Sequence, residues 1–423
     1  MKSYFAILKE RRITVTFLLG FASALPLVLS SSTLQMWYTA SGVSLKEIGF
    51  VGLAGLPYTL KFLWAPVMDR WVPPFLGRRR GWILICQFLL CLAISSMVLF
   101  TPDAYPKTLF LIACFVAFFS ASQDIAIDAY AADVLRPEER ALGGAVRVDG
   151  GRIALLISGG LVLVMADHLG WKVAYLSMAG LMSIGMIATF IGPNPPTVST
   201  PTRLWDCTVL PFLEFLKRPQ SLWILLLIVF YKFGDAFGGT LCQTFIMREI
   251  GMSLTEMGTL AKFSGFFGIV LGALSGAALI QRWGWFKSMF IFGILQSLSN
   301  LSYMALLWTG PNYFVTGGAF FVENFFGGMG TAAFVGLLMG LCNARFTAVQ
   351  FALLSSLSAI GRVIVGPLAG WVADEYGWTA YFMASLVLSV PGLALLVLLK
   401  GDIGKMADAQ AEERANNLVP AAG

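Results

Sequence analysis

The sequence predicts an all-α polytopic membrane protein with twelve transmembrane helices in two pseudo-symmetric six-helix halves. Three observations carry that prediction. The 423 residues are 57% hydrophobic and only 12% charged, about half the ~25% charged share of a soluble protein. Stretches of 18 to 25 mostly apolar residues recur along the whole length, each long enough to cross ~30 Å of hydrocarbon at 1.5 Å per residue. Short strings also repeat: "GVSLKEIG" (42–49) matches "GMSLTEMG" (251–258), "GRI" (151–153) matches "GRV" (361–363), and "ADHLGW" (166–171) matches "ADEYGW" (373–378). The offsets, 209, 210 and 207, are nearly one number.

Apolar spans fall near 13–37, 47–68, 81–100, 108–130, 141–165, 172–192, 221–245, 255–279, 287–308, 314–340, 348–371 and 378–399. The first has a basic lead-in and an Ala22–Ala24 site, as a signal peptide would. Its apolar pattern continues past Pro26 to Trp37, so it reads as an uncleaved span. Lys and Arg sort by side: nineteen lie in the N-terminus, the even-numbered loops and the tail, and four (Lys46, Lys107, Lys172, Arg248) in the odd-numbered loops. The positive-inside rule then puts both termini in the cytoplasm. The chain divides into an N-terminal half (1–192), a Pro-rich cytoplasmic linker (193–220), a C-terminal half (221–400) and a cytoplasmic tail (401–423). Part of the linker, "LWDCTVLPFLEFLKR", reads as a short helix along the cytoplasmic face. Six spans repeated in one orientation imply parallel halves about an axis along the membrane normal, as in the major facilitator fold.

Several function classes drop out. The net charge of +6 sits in short clusters between spans, not in a groove or tail, so nucleic acid is no partner and membrane lipid is. The six cysteines form no CxxC and His168 is the only histidine, so no metal or cofactor site and no histidine triad is expected. No G-x-x-x-x-G-K-[ST] phosphate loop is present, which excludes ATP hydrolysis. A lipid-linked sugar transferase would need catalytic carboxylates at an interface loop. The one such cluster, Asp133, Glu138 and Glu139, sits beside Arg136 and Arg140 and reads as gating electrostatics, so no catalytic residue is assigned. A gradient-driven secondary transporter remains, working as a monomer.

Charged residues inside spans are the informative ones, since each costs at least ~3 kcal/mol at the bilayer centre. They are Lys61, Asp124, Asp128, Arg147, Asp149, Arg152, Lys232, Asp235, Lys262, Glu323 and Arg362. Asp124 and Asp128, in "SASQDIAIDAY", lie at i and i+4 on one helix face with Ser120. Desolvation favours the protonated form of a carboxyl group, so carboxylates in such a place suit proton coupling; the alternative is an ion pair to Arg147 or Arg152. Glu323 has no obvious sequence partner and joins them as a coupling candidate. Arg152 and Arg362 occupy equivalent places in the two halves, where forked hydrogen bonds suit an anionic substrate; the alternative is packing on helix carbonyls or acidic neighbours. Lys232 and Asp235 either pair with each other or bind substrate, and Gln123 flanks Asp124. The loop "MDRWVPPFLGRRRGW" (68–82) resembles the D-R-x-G-R-R element of major facilitators, stretched after Trp71. Asp69, Arg70, Gly77, Arg78, Arg79 and Arg80 there fit a gating role, against the plainer reading of positive-inside charge.

A narrower resemblance follows from "GFASALPL" (20–27), "STLQMW" (32–37), "KFLWAPVMDR" (61–70), "PPFLGRRRGW" (73–82), "SASQDIAIDAY", "DVLRPEERALG" (133–143) and "QFALLSSLSAIGR" (350–362). Over about residues 1–400 the chain resembles the AmpG muropeptide permease family of Gram-negative bacteria. The Gln-Asp-Ile string also occurs in acetyl-coenzyme A transporters. The resemblance implies proton-coupled import of N-acetylglucosaminyl-1,6-anhydro-N-acetylmuramic acid and its peptide-bearing forms, across the inner membrane from periplasm to cytoplasm. It further implies a place in peptidoglycan recycling and β-lactamase induction, with Gln123 and Asp124 at the cavity. Ala24 departs from the family's usual Gly. A drug or metabolite exporter and an acetyl-coenzyme A carrier are the alternatives on the same fold.

Overall fold

In the computed structural model the described residues are 10–136, 139–195, 213–342 and 347–403, all strand-free. The chain opens with α1 (Arg11–Leu29) and α2 (Ser32–Ala40), one apolar run interrupted after Pro26. Pro26 withholds its own N–H from the helix ladder. Its carbonyl accepts from Ser30 Oγ at 3.1 Å, close to the break.

The second span is broken more thoroughly. It runs as α3 (Leu45–Val51), a 3₁₀ turn over Gly52–Gly55, α4 (Leu56–Leu60), a second 3₁₀ turn over Lys61–Leu63 and α5 (Ala65–Arg70). Prolines open α4 and α5, where a missing N–H costs nothing. Tyr58 and Lys61 sit on this interrupted stretch.

Next come α6 (Gly77–Met97), α7 (Pro106–Val134), α8 (Arg140–Leu156), a π turn over Ile157–Leu161, α9 (Val162–Leu169) and α10 (Trp171–Ile191). Then follow α11 (Ser221–Tyr231), α12 (Phe233–Thr240), α13 (Cys242–Arg248), the single turn α14 (Leu254–Glu256), a π turn over Met257–Ala261 and α15 (Lys262–Trp283). The chain closes with α16 (Trp285–Ser299), α17 (Leu306–Thr309), α18 (Tyr313–Leu341) and α19 (Thr347–Leu398). Among the described residues, ten helical runs are long and apolar enough to cross a membrane, and one of them, Gln350–Leu398, has 49 residues. That length suffices for two crossings, and Gly377 at φ 77° bends it where the sequence places the loop. With the broken Leu45–Arg70 segment, the twelve spans are accounted for.

The chain groups into two compact units, Met1–Pro201 with Met252–Lys262, and Thr202–Gly251 with Phe263–Gly423. In the first, α1 packs most extensively on α8. Two glycines allow it: a Cβ at Gly20 would strike the Arg147 carbonyl, and one at Gly150 the Phe17 carbonyl. Lipid tails are as apolar as leucine, so close backbone approach and polar links hold such helices together more than hydrophobic burial does. Val15, Leu19, Ile83, Ile127 and Tyr130 form a buried cluster of this unit. The second unit is built around α19, which takes α11 and α12 against it, with α16 on α18. Phe263, Phe267, Leu271 and Leu274 form an exposed stripe along α15, as expected where lipid is the solvent.

Candidate functional site

In the first unit, α7 places Asp124 among groups from three other elements. Lys61 Nζ donates to its Oδ2 at 2.5 Å, Arg147 on α8 donates to its Oδ1 at 3.0 Å, and Ser23 on α1 donates to the same Oδ1 at 2.8 Å. Arg147 also pairs with Asp128, one turn along α7. Two carboxylates and two cations therefore form one neutral cluster. It is not sealed: the side chains of Lys61, Asp124 and Arg147 are 32%, 23% and 26% exposed. A cavity of about 260 Å³ opens on it, lined by Ser23, Ala24, Tyr58, Asp124, Arg147 and Gly151 among others. Gln123 beside it is fully buried, and neither amide atom has a hydrogen-bond partner among the described residues.

The second unit carries its own polar centre. Lys232, between α11 and α12, is 8% exposed. It donates to Gln296 Oε1 at 2.9 Å and Thr331 Oγ1 at 3.3 Å, with Asp235 at 3.9 Å. Glu323 on α18 accepts from Asn324 at 2.6 Å and Tyr303 at 3.5 Å. Lys232, Asp235, Glu323 and Arg362 lie within electrostatic reach as a group. Arg362 and its counterpart Arg152 are both exposed. Neither forms an ion pair among the described residues.

The loop arginines are spread over different tasks. Arg79 pairs with Asp133 at 3.0 Å. Arg80 is buried and caps the C-terminal end of α10, donating to the carbonyls of Thr189 (2.9 Å) and Phe190 (2.8 Å) and to Asn194. Tyr130 donates to Pro193 O at 2.9 Å beside them. Gly77 follows Leu76 with both residues at positive φ, 71° and 56°, which turns the chain into α6. Arg70 is exposed and Arg78 half-buried; the side chain of Asp69 lies outside the described residues, as does most of the 193–220 linker and of the 401–423 tail.

The family model for the Major Facilitator Superfamily matches residues 14–365. The chain belongs to the Major Facilitator Superfamily. Among relatives, the "Anhydromuropeptide permease" of Escherichia coli strain K12 is 47% identical over 93% of this chain and 81% of its own length. A "Putative transporter AmpG 4" of Rickettsia conorii is 32% identical over 93% and 97%. The solved peptide transporter POT in complex with sulfate superposes with TM-score 0.68 at 14% identity, covering 96% of this chain and 97% of that one. The nucleoside transporter NupG does so with TM-score 0.66 at 14%, covering 93% and 99%. At such identities these two establish the major facilitator fold alone.

Within that fold, sequence reasoning put Lys61 and Arg147 among the in-span charges without selecting them. A signal was available: neither has an opposite charge at i±3 or i±4 on its own helix, so each needs a partner from another. Arg147 proves to be the ion-pair partner weighed for Asp124. Ser23, Gln296, Thr331 and Tyr303 gave no signal, because a lone hydroxyl or amide in an apolar span is common.

Proposed function

We propose that this major facilitator imports anhydromuropeptides, namely N-acetylglucosaminyl-1,6-anhydro-N-acetylmuramic acid and its peptide-bearing forms, from periplasm to cytoplasm with protons. The observation that carries the substrate is the 47% identity over 93% of the chain to the Escherichia coli anhydromuropeptide permease. In this reading the protein sits in the inner membrane with both termini cytoplasmic, acts as a monomer, and supplies peptidoglycan recycling and β-lactamase induction. The halves 1–192 and 221–400 rock about the cargo, joined by the cytoplasmic 193–220 linker.

Asp124 is the coupling group, with Asp128 and Glu323 as reserves. Support comes from its neighbours: a carboxylate held by two cations in a partly desolvated site exchanges a proton only by releasing a cation, which ties protonation to a rearrangement. Arg152, Lys232, Asp235, Arg362 and Gln123 contact cargo. Asp69, Arg70, Gly77 and the arginines 78–80 fasten the cytoplasmic ends in one conformation, Arg80 through its cap on α10. The test is uptake of labelled anhydromuropeptide into proteoliposomes under an inward proton gradient. Asp124→Asn is expected to lose gradient-driven uptake and keep gradient-free exchange. Equal activity in both proteins would make Asp124 structural; no uptake by folded wild type would remove the muropeptide assignment and favour an exporter or an acyl-coenzyme A carrier.

A further inference from the structure

We infer that Lys61 and Arg147 form a carboxylate-binding subsite for the cargo, which Asp124 occupies until it is protonated. This rests on the muropeptide reading above and names the part of the cargo that the site takes. Lys61 Nζ and Arg147 both donate to Asp124, on opposite oxygens, and the cavity of about 260 Å³ reaches Asp124, Arg147 and Tyr58 directly. That volume is below the ~300–1,000 Å³ of pockets that enclose a whole drug-sized ligand. It suits one end of a larger molecule.

The charge balance dictates the exchange. Asp124, Asp128, Lys61 and Arg147 sum to zero, so a cargo carboxylate entering alone would bring an uncompensated negative charge into a partly desolvated site. A proton taken by Asp124 Oδ2 breaks its bond from Lys61 Nζ and removes one negative charge. The cargo carboxylate then accepts from Lys61 and from the Arg147 amine that had served Asp124 Oδ1. The cluster is neutral before and after, with one proton bound per carboxylate. Ser23 and Tyr58 line the same cavity; the Ser23 hydroxyl is held on Asp124 Oδ1, and the Tyr58 hydroxyl is itself buried, so the tyrosine meets the cavity with its ring.

The other charges near Asp124 do not replace this pair. Asp128 shares Arg147 and keeps one of its amines engaged. On α8, Asp149 and Arg152 are exposed. Among the other elements against α7, α6 brings the arginines 78–80, with Arg79 on Asp133, and α5 ends on Asp69 and Arg70. From α1 the neighbour is Ser23, since Arg12 pairs with Glu139. Two carboxylates of the cargo class share the required chemistry: the lactyl acid of the peptide-free sugar and the acids of the stem peptide.

The experiment measures binding to the full-length protein in nanodiscs, between about pH 5.5 and 8, where a free carboxylate stays ionised. Two pairs of probes are compared: the disaccharide with its lactyl acid against its lactyl amide, and the peptide-bearing form against the same peptide with its acids amidated. An acid probe is expected to bind more tightly as pH falls, by up to ~10-fold per unit, because cargo and proton bind together; its amide should change less than ~3-fold. The pair that shows the difference identifies which carboxylate docks. With Asp124→Asn the acid should bind at every pH at least as tightly as it binds wild type at the acid end, and Lys61→Met should weaken acid and not amide. If acid and amide respond to pH alike while proteoliposomes still take up muropeptide, the subsite is wrong and the transport reading stands. If wild type neither binds nor transports any probe, both fall.

Discussion

At the scale of single residues, the polar groups in the spans differ in what they are tied to. Gln123 is fully buried with neither amide atom paired among the described residues, and leaving a buried amide unsatisfied costs roughly 1–3 kcal/mol. Gln123→Leu should therefore melt at or above the wild-type temperature in detergent, while uptake falls if the amide contacts cargo. Lys232 behaves in the opposite way. Its ammonium holds Gln296 and Thr331 and approaches Asp235, so Lys232→Met strips a partner from the buried Gln296 amide and loosens Thr331 and Asp235 as well. A loss of about 1–3 kcal/mol is expected, seen as a lower melting temperature, with Lys232→Arg recovering part of it.

At the scale of elements, contacts between helices depend on small residues and on capped ends. The seam of α1 and α8 needs Gly20 and Gly150, because a side chain at either would meet a neighbouring carbonyl. Gly20→Val should cost about 1–3 kcal/mol by forcing the helices apart, and it should also alter the cavity beside Ser23, so both melting and uptake are the checks. Arg80 satisfies carbonyls at the end of α10 that have no intrahelical donor. If that cap is its main task, Arg80→Ala lowers stability and leaves cargo affinity unchanged. If gating is its task, the ratio of exchange to gradient-driven uptake shifts instead.

At the scale of the whole molecule, the expected outcome concerns orientation. With native cysteines removed, a single cysteine in place of Lys107 should react with an impermeant thiol reagent added outside intact inner-membrane preparations of right-side-out orientation. One in place of Arg282 should stay protected until the membrane is opened. The reverse pattern would invert the topology read from the nineteen-to-four bias of Lys and Arg. The twelve-span architecture was legible because twenty apolar residues in a row have few places to go in a folded protein other than across lipid. The breaks inside span two were foreshadowed by Pro57, Pro66 and the glycines at 52 and 55, but their form depends on which backbone groups find partners in neighbouring helices. Charges in the spans were equally legible, since hydropathy makes each one conspicuous. Their pairing was legible only in part: Arg147 was already among the partners weighed for Asp124, and Lys61 was not. Lys61 and Asp124 stand 63 positions apart, and only the packing of the broken span against α7 brings them to 2.5 Å. By itself the sequence determined the membrane class, the repeat and which charges lie within the spans, because these follow from transfer energies that act residue by residue. The tertiary structure alone decided which charge neutralises which, because ion pairing falls off over a few ångströms and those distances exist only once the helices have packed.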